Sequence, residues 1–258
     1  MSVLLSGSPL SGRVAVVSGA SSGMGAAAAE RLAALGAKVA VLARRKEKLD
    51  DVVKNIETAG GTALAYTVDV TDRAAVLEVA QRIAGDLGTV DLVFNNAGVQ
   101  LISGIEELKV DEWQRQIDLN VTGVMNVIAA FLPQLTASSE QGKPADLINT
   151  SSIAATRILE KFSIYSGTKA YISHLTRLMR VELGPKMVRV ATIEPGMVDT
   201  ELPDHVTDAD ASQLMAGLIH DIDVLQSPDI AETIAFMATV PRHVNLTEIT
   251  ILPTAQAI

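Results

Sequence analysis

Three residue types at fixed spacing carry chemistry in the second half of the chain: Ser152, Tyr165 and Lys169. Tyr165 opens a run (Ala170, Ile172, Leu175, Leu178, Met179, Leu183) whose apolar residues recur at three- and four-residue steps, which predicts a helix. Tyr165 and Lys169 stand four apart, so they share one face of that helix, a turn apart. An ammonium held beside a phenol favours the phenolate and lowers its pKa from ~10. A phenol so tuned can exchange a proton near neutral pH. Leu147 and Ile148 read as a strand ending at Ser151-Ser152. If that strand packs beside the helix, the Ser152 hydroxyl can hydrogen-bond the same oxygen as the Tyr165 hydroxyl. A Tyr–Lys pair at helical spacing also arises by chance, so the elements that must position it decide.

Those elements alternate. Arg13 to Ser18 is a short apolar strand of the buried, parallel type. Gly19-Ala20-Ser21-Ser22-Gly23-Met24-Gly25 follows at once, then an alanine-rich helix with Gly36 as its terminal cap, then a second strand, Lys38 to Ala43. In such a βαβ unit the glycine turn lets backbone N–H groups meet a pyrophosphate at the helix N-terminus. The spacing, Gly19-x-x-x-Gly23-x-Gly25, departs from the general dinucleotide fingerprint but serves the same end. An acidic residue after the second strand would take the ribose hydroxyls of NAD. Ala43 stands there instead, followed by Arg44-Arg45-Lys46. Guanidinium groups pair with a 2′-phosphate, so NADP is expected over NAD, unless these cations only solvate a helix start.

Further helices are expected over Lys46–Ala59, Arg73–Leu87 and Val110–Leu132, the last with Trp113, Ile117, Val121, Val124 and Ile128 on its core face and Asn120 among them. Ser138 to Ala145 reads as a polar loop. Strands are expected at Ala63–Val68, Asp91–Phe94 and Val188–Ile193. Strands alternating with helices throughout predict an α/β fold, a Rossmann-type doubly wound parallel sheet in a single domain. Sites in such sheets lie beyond the carboxyl ends of the strands. That rule gathers the glycine loop, Arg44, Asp69, Asn95–Gly98, Ser152 and Pro195–Thr200 on one rim.

Composition excludes other classes. The chain has 258 residues, a net charge of -9 and no cysteine. Nucleic acid and anionic membranes are poor partners for such a charge. Disulfides, cysteine–zinc sites and thiol nucleophiles are ruled out. Met1–Gly12 is a Ser/Gly-rich lead-in without the pattern of a signal peptide, and no run has the length of a membrane span. A soluble cytoplasmic protein is expected. His174, His205, His220 and His243 show no ligand spacing, so no metal site is expected.

The chain resembles a short-chain dehydrogenase/reductase of the single-domain type, from about Gly12 to the end. Ser18-Gly19-Ala20-Ser21-Ser22-Gly23-Met24-Gly25 is similar to the family's T-G-x-x-x-G-x-G loop, with Ser for the first Thr. Asn95-Asn96-Ala97-Gly98 matches N-N-A-G, and Tyr165 and Lys169 match Y-x-x-x-K. Pro195-Gly196-Met197-Val198-Asp199-Thr200 is similar to P-G-x-x-x-T. The resemblance implies that Asp69-Val70 contacts adenine, that Asn96, Ala97 and Gly98 border the ribose, and that Pro195, Gly196, Val198 and Thr200 hold the nicotinamide side. It implies a catalytic set of Asn120 (binding a relay water), Ser152 (orienting the substrate), Tyr165 and Lys169. The C-terminal run Glu248–Gln256 is similar to that of clavulanate dehydrogenase-like and 3-hydroxy acid dehydrogenase-like members, which use NADP.

The implied reaction is reduction of a ketone or aldehyde to an alcohol, or its reverse, with NADPH as hydride donor and Tyr165 as general acid/base: a ketoreductase. The segment 201–227 should cover the substrate as a lid. Val99, Leu101, Ile153, Ala154, Ile158, Leu159, Phe162 and Met197 suggest an apolar carbonyl or secondary alcohol of medium size. Family members are usually homotetramers built on the two long helices. The rivals are a nucleotide-sugar epimerase or dehydratase, which needs a larger C-terminal domain, and a non-catalytic dinucleotide-binding sensor or scaffold.

Overall fold

A computed structural model describes residues 7–201, 206, 208, 210, 213, 217 and 222–256. Its centre is a seven-stranded, all-parallel sheet. The strands are β1 (Val14–Ser18), β2 (Lys38–Ala43), β3 (Thr62–Thr67), β4 (Leu92–Asn95), β5 (Asp146–Thr150), β6 (Arg189–Pro195) and, after a separate two-stranded ribbon of β7 (Val198–Asp199) with β8 (Leu225–Gln226), β9 (Glu248–Ile251). Their order is β3-β2-β1-β4-β5-β6-β9. The order reverses between β1 and β4, and a crevice opens there beyond the strand ends. The expected Rossmann-type fold is therefore the observed one.

The sheet is covered on both faces, which is why its strands read as continuous apolar runs. Successive side chains alternate between two cores. Ala15 and Val17 of β1 join one with α1 (Gly23–Ala34), α2 (Lys46–Thr58) and the later helix Ser227–Thr239; Val14 and Val16 join the other with α3 (Arg73–Asp86) and the two long helices. Each fully buried Val, Leu or Ile contributes about 1.5–3 kcal/mol. A charge at Val16, which is 0% exposed, would break both sheet and core.

The first long helix departs from expectation. It runs as α4 (Val110–Ile117), a π-helical turn over Asp118–Gly123, and α5 (Val124–Glu140). It passes through Pro133 and on to Glu140 rather than stopping at Leu132, because Leu135, Ser138 and Ser139 beyond the proline are buried. The wider π turn rotates the face that meets the sheet. Gln116, Asn120 and Gly123 point inward, whereas Ile117 is exposed. Val110–Glu140 is long and apolar enough to cross a membrane by composition. Its inner face (Val124, Val127, Phe131, Leu135) is nonetheless core, packed against the sheet.

The second long helix is α6 (Ser163–Leu183), with Tyr165, Lys169, Ile172, Thr176, Met179 and Leu183 buried and Leu178 outward. The helix Ser227–Thr239 is α7; a capping box of Gln226 and Asp229 closes its N-terminus, and its apolar face packs in the same core as α1. The segment expected to form a lid lies largely outside the described residues, including Leu202, His205, Leu214, Met215, Leu218, Ile219 and His220.

Candidate active site

The glycine loop leaves β1 and enters α1. Gly19 has φ +65, and a Cβ there would stand 2.8 Å from the Cα of Ala97. Only glycine fits, because the loops after β1 and β4 lie one on the other. Ser18 joins the same two loops: its hydroxyl accepts the N–H groups of Asn96 (3.0 Å) and Ala97 (3.1 Å) and lies 3.4 Å from Asn95 Oδ1. Gly25 lies behind the loop, where a Cβ would run into the Gly19 carbonyl.

A cavity of about 240 Å³ opens on this loop. It is lined by Gly19, Ser21, Ser22, Gly23, Met24, Arg44, Arg45, Asp69, Val70, Asn96, Ala97, Gly98 and Thr200, all expected at a dinucleotide site. Ala43, Val68, Leu119 and Glu201 complete the lining. Pro195, Gly196 and Val198 are not in this lining: Pro195 and Gly196 meet Ile251 of β9, and Val198 pairs with Leu225 of β8. Asn96 Oδ1 is buried without a partner in this wall. An orphaned acceptor of that kind fits a ribose hydroxyl, and the exposed N-terminus of α1 fits a pyrophosphate. Asp69 is an Asx turn: Oδ1 accepts Thr71 N–H (2.9 Å) and Thr71 Oγ1–H (2.8 Å), with Arg44 3.9 Å from Oδ2. Burial would raise this carboxyl, but the Thr71 hydrogen bonds and Arg44 hold it below its ordinary value.

Beyond Gly98 lies the second half of the rim. Asn120 is 1% exposed, and its amide is fully engaged. Oδ1 accepts Val99 N–H (2.8 Å), and Nδ2 donates to the Val99 carbonyl (2.8 Å) and Thr168 Oγ1 (3.1 Å). It thus ties the loop after β4 to α6. Ser152 ends the β5 segment in extended backbone, and its hydroxyl accepts Ala154 N–H at 3.1 Å. Tyr165 is packed by Ile102, Ala154 and Phe162, with Leu159 and Val206 against them. Ile158, expected in this lining, is fully exposed instead, because the turn that buries Phe162 and partly buries Leu159 directs it to solvent.

Lys169 Nζ donates to the Thr150 carbonyl at 2.9 Å and lies 5.7 Å from the centre of the Tyr165 ring. The two groups are tuned otherwise than expected. Burial pushes the Tyr165 phenol up to about 12, with only a hydrogen bond from Ser152 pulling the other way. Burial also brings the Lys169 ammonium down to about 8. The helical spacing does bring the pair together, but burial dominates both shifts: each residue is 6% exposed, and Tyr165 packs in the cluster of Ile102, Ala154 and Phe162.

Two residues of this rim make contacts that the sequence does not assign to them. Glu201 meets Ser22 and Arg45 across the cavity mouth. Gln256, near the C-terminus and 6% exposed, accepts Met197 N–H at 3.0 Å. A Cβ on Gly196 would meet the ends of the Gln256 and Leu252 side chains, which would have to shift to admit it. Among the described residues no group of three His, Cys, Asp or Glu side chains converges as metal ligands.

Comparison with known proteins decides what this geometry belongs to. A sequence model described as short chain dehydrogenase matches residues 13–211. The chain belongs to the short-chain dehydrogenase family of oxidoreductases. An uncharacterized oxidoreductase of Listeria innocua is 37% identical over 247 residues, spanning 95% of this chain and 97% of that one. Among solved structures, a serine dehydrogenase complexed with NADP+ superposes with a TM-score of 0.86 at 27% identity, covering 95% of this chain and 96% of that one. A metagenomic short-chain oxidoreductase in complex with NADP gives 0.80 at 31% identity, covering 96% and 100%.

Proposed function

We propose that this dehydrogenase family member reduces a ketone or aldehyde to an alcohol, or runs the reverse reaction, with NADP and with Tyr165 as general acid/base. One observation carries the reading: the Tyr165 phenol, buried against Ile102, Ala154 and Phe162, meets the Ser152 hydroxyl and lies beside Lys169. Ser152 orients the carbonyl oxygen. Tyr165, protonated at neutral pH, delivers a proton to that oxygen in reduction and takes it back in oxidation. Lys169, close to neutrality in its proton affinity, lowers the cost of leaving a phenolate behind. Asn120 holds the loop that brings Gly98 against the same residues. The nicotinamide supplies the hydride when bound.

The residues that would hold the dinucleotide are the glycine loop, Asn96, Asp69 and Val70 at the adenosine end. Pro195, Gly196, Val198 and Thr200 would serve at the nicotinamide end. Arg44 and Arg45 on the cavity wall support a 2′-phosphate, as do the NADP-bound structural relatives. The apolar packing around Tyr165 supports a substrate whose carbonyl is flanked by apolar groups. Met125, Tyr171, Leu178 and Val181 are exposed on the long helices, and Tyr171 Oη lies 3.2 Å from Met125 Sδ. That apolar surface supports self-association, and the form we propose is a homotetramer of single-domain cytoplasmic subunits.

The test is consumption of NADPH and of NADH by the intact chain against a panel of ketones and aldehydes. Turnover with NADPH that exceeds turnover with NADH is expected. Tight binding without turnover of any panel member would favour a dinucleotide-binding sensor.

A further inference from the structure

The mouth of the dinucleotide cavity carries one carboxylate that neither the glycine loop nor the sheet requires. Glu201 directly follows Thr200 and lines the cavity. Its Oε2 accepts the Ser22 hydroxyl at 2.8 Å and Arg45 Nη1 at 2.9 Å. The rest of the Arg45 guanidinium is turned onto the glycine loop. Nε and Nη2 donate to Ser21 Oγ at 3.1 and 2.9 Å, and Nη2 also reaches Ser22 Oγ at 2.7 Å. Both side chains of the ion pair are about half exposed, 47% and 48%, so a ligand entering the cavity reaches both. The Ser22 hydrogen bond, then Arg45, hold the Glu201 carboxyl below its ordinary value, so it is anionic throughout the neutral range.

Resting on the NADP reading above, we infer that Glu201 is a specificity-determining residue: it is the internal counter-anion of Arg45, and a 2′-phosphate must take the guanidinium from it. In dinucleotide folds a carboxylate after the second strand discriminates against the 2′-phosphate. Here β2 ends in Ala43, and the discriminating carboxylate arrives from the opposite wall of the cavity. The exchange replaces one exposed ion pair by a charge-assisted contact to a phosphate. The released carboxylate then faces the phosphate as a like charge. Glu201 therefore weakens NADP binding while leaving NAD, which makes no claim on Arg45, unaffected. In return it keeps Arg45 ordered on the loop before any ligand arrives.

The experiment is calorimetric binding of adenosine 2′,5′-bisphosphate and adenosine 5′-monophosphate to the intact chain and to Glu201→Gln, which keeps a hydrogen-bonding group for Ser22. The variant is expected to bind the bisphosphate about two- to fivefold more tightly, the worth of one exposed ion pair, with the monophosphate unchanged. The gain should shrink as salt is raised. A wild type that prefers the bisphosphate, with the same ratio or a weaker one in Glu201→Gln, would overturn this inference alone. A wild type and variant that bind both nucleotides equally would overturn the NADP reading and the inference with it.

Discussion

The two rims of the sheet each carry a pair of arginines and use them in opposite ways. At the amino rim, Arg13 and Arg189 flank Asp91 and Asp146 at the starts of β1, β4, β5 and β6. Arg13 bonds Asp91 (2.7 Å) and Asp146 (2.7 Å), and Arg189 grips Asp146 with two nitrogens (2.6 and 2.8 Å). Their remaining donors reach the Ala238 and Val240 carbonyls at the end of α7, and all four side chains are at most 7% exposed. At the carboxyl rim, Arg44 is 67% exposed and 3.9 Å from its nearest carboxylate, while Arg45 is 47% exposed in a network it shares with hydroxyls and Glu201. A cation whose every donor is spent inside the protein can only hold the fold. One that borders a cavity and is held by exchangeable partners can bind.

Breaking the amino rim should have the largest effect on stability. Asp146→Ala leaves two buried guanidinium groups without their shared partner and should cost about 3–5 kcal/mol in denaturant unfolding. Nucleotide affinity of the folded protein should not change, and a selective loss of affinity would erase the contrast between rims.

A pH series sharpens the other rim. Lys169 falls from 10.5 to about 8 on folding, so its burial costs roughly 3 kcal/mol while it is charged. Between those values the unfolded chain binds more protons than the folded one, so the cost is relieved as pH rises from 8 toward 10.5. Lys169→Met should therefore gain melting temperature over wild type below pH 8, the gap closing above it. A gap independent of pH would show that the ammonium is not desolvated.

Arg45→Ala should weaken NADPH by about 1.5–3 kcal/mol, the worth of a hydrogen bond to a charged group, and NADH little. Equal losses for both would remove Arg45 from the 2′-phosphate site. Gln256→Ala leaves the Met197 N–H without its acceptor, at about 1–3 kcal/mol. It should weaken the full dinucleotide but not adenosine 2′,5′-bisphosphate, since Gln256 supports the Met197 loop, the one proposed to hold the nicotinamide. Equal weakening of both ligands would make Gln256 a general packing residue.

What the sequence made legible was local. The glycine turn, the strand ends and the Tyr165–Lys169 step are each set by a few neighbouring residues, and the topology then gathers them at one rim. Two errors came from features with no local sign. Periodicity assumes a constant turn, so it puts Ile117 inside; with the π turn at Asp118–Gly123 it is Gln116 that faces inward, while Asn120 is buried as expected. The expected helix end at Leu132 falls short, because buried contacts beyond Pro133 continue the helix to Glu140. The Tyr165 shift was misjudged because spacing reveals a nearby charge but not how deeply the phenol is buried. Glu201 and Gln256 act on residues far away in sequence, Ser22 and Arg45 for one, Met197 for the other, and only the folded chain brings them together.

The most direct test of the central claim is Tyr165→Phe, compared with wild type for NADPH affinity and for turnover of the best carbonyl substrate. The phenol oxygen is the group assigned the proton, and its removal spares the cavity on the glycine loop. Turnover should fall by about 10²–10⁴-fold with NADPH affinity nearly unchanged. Turnover within a few-fold of wild type would contradict the account.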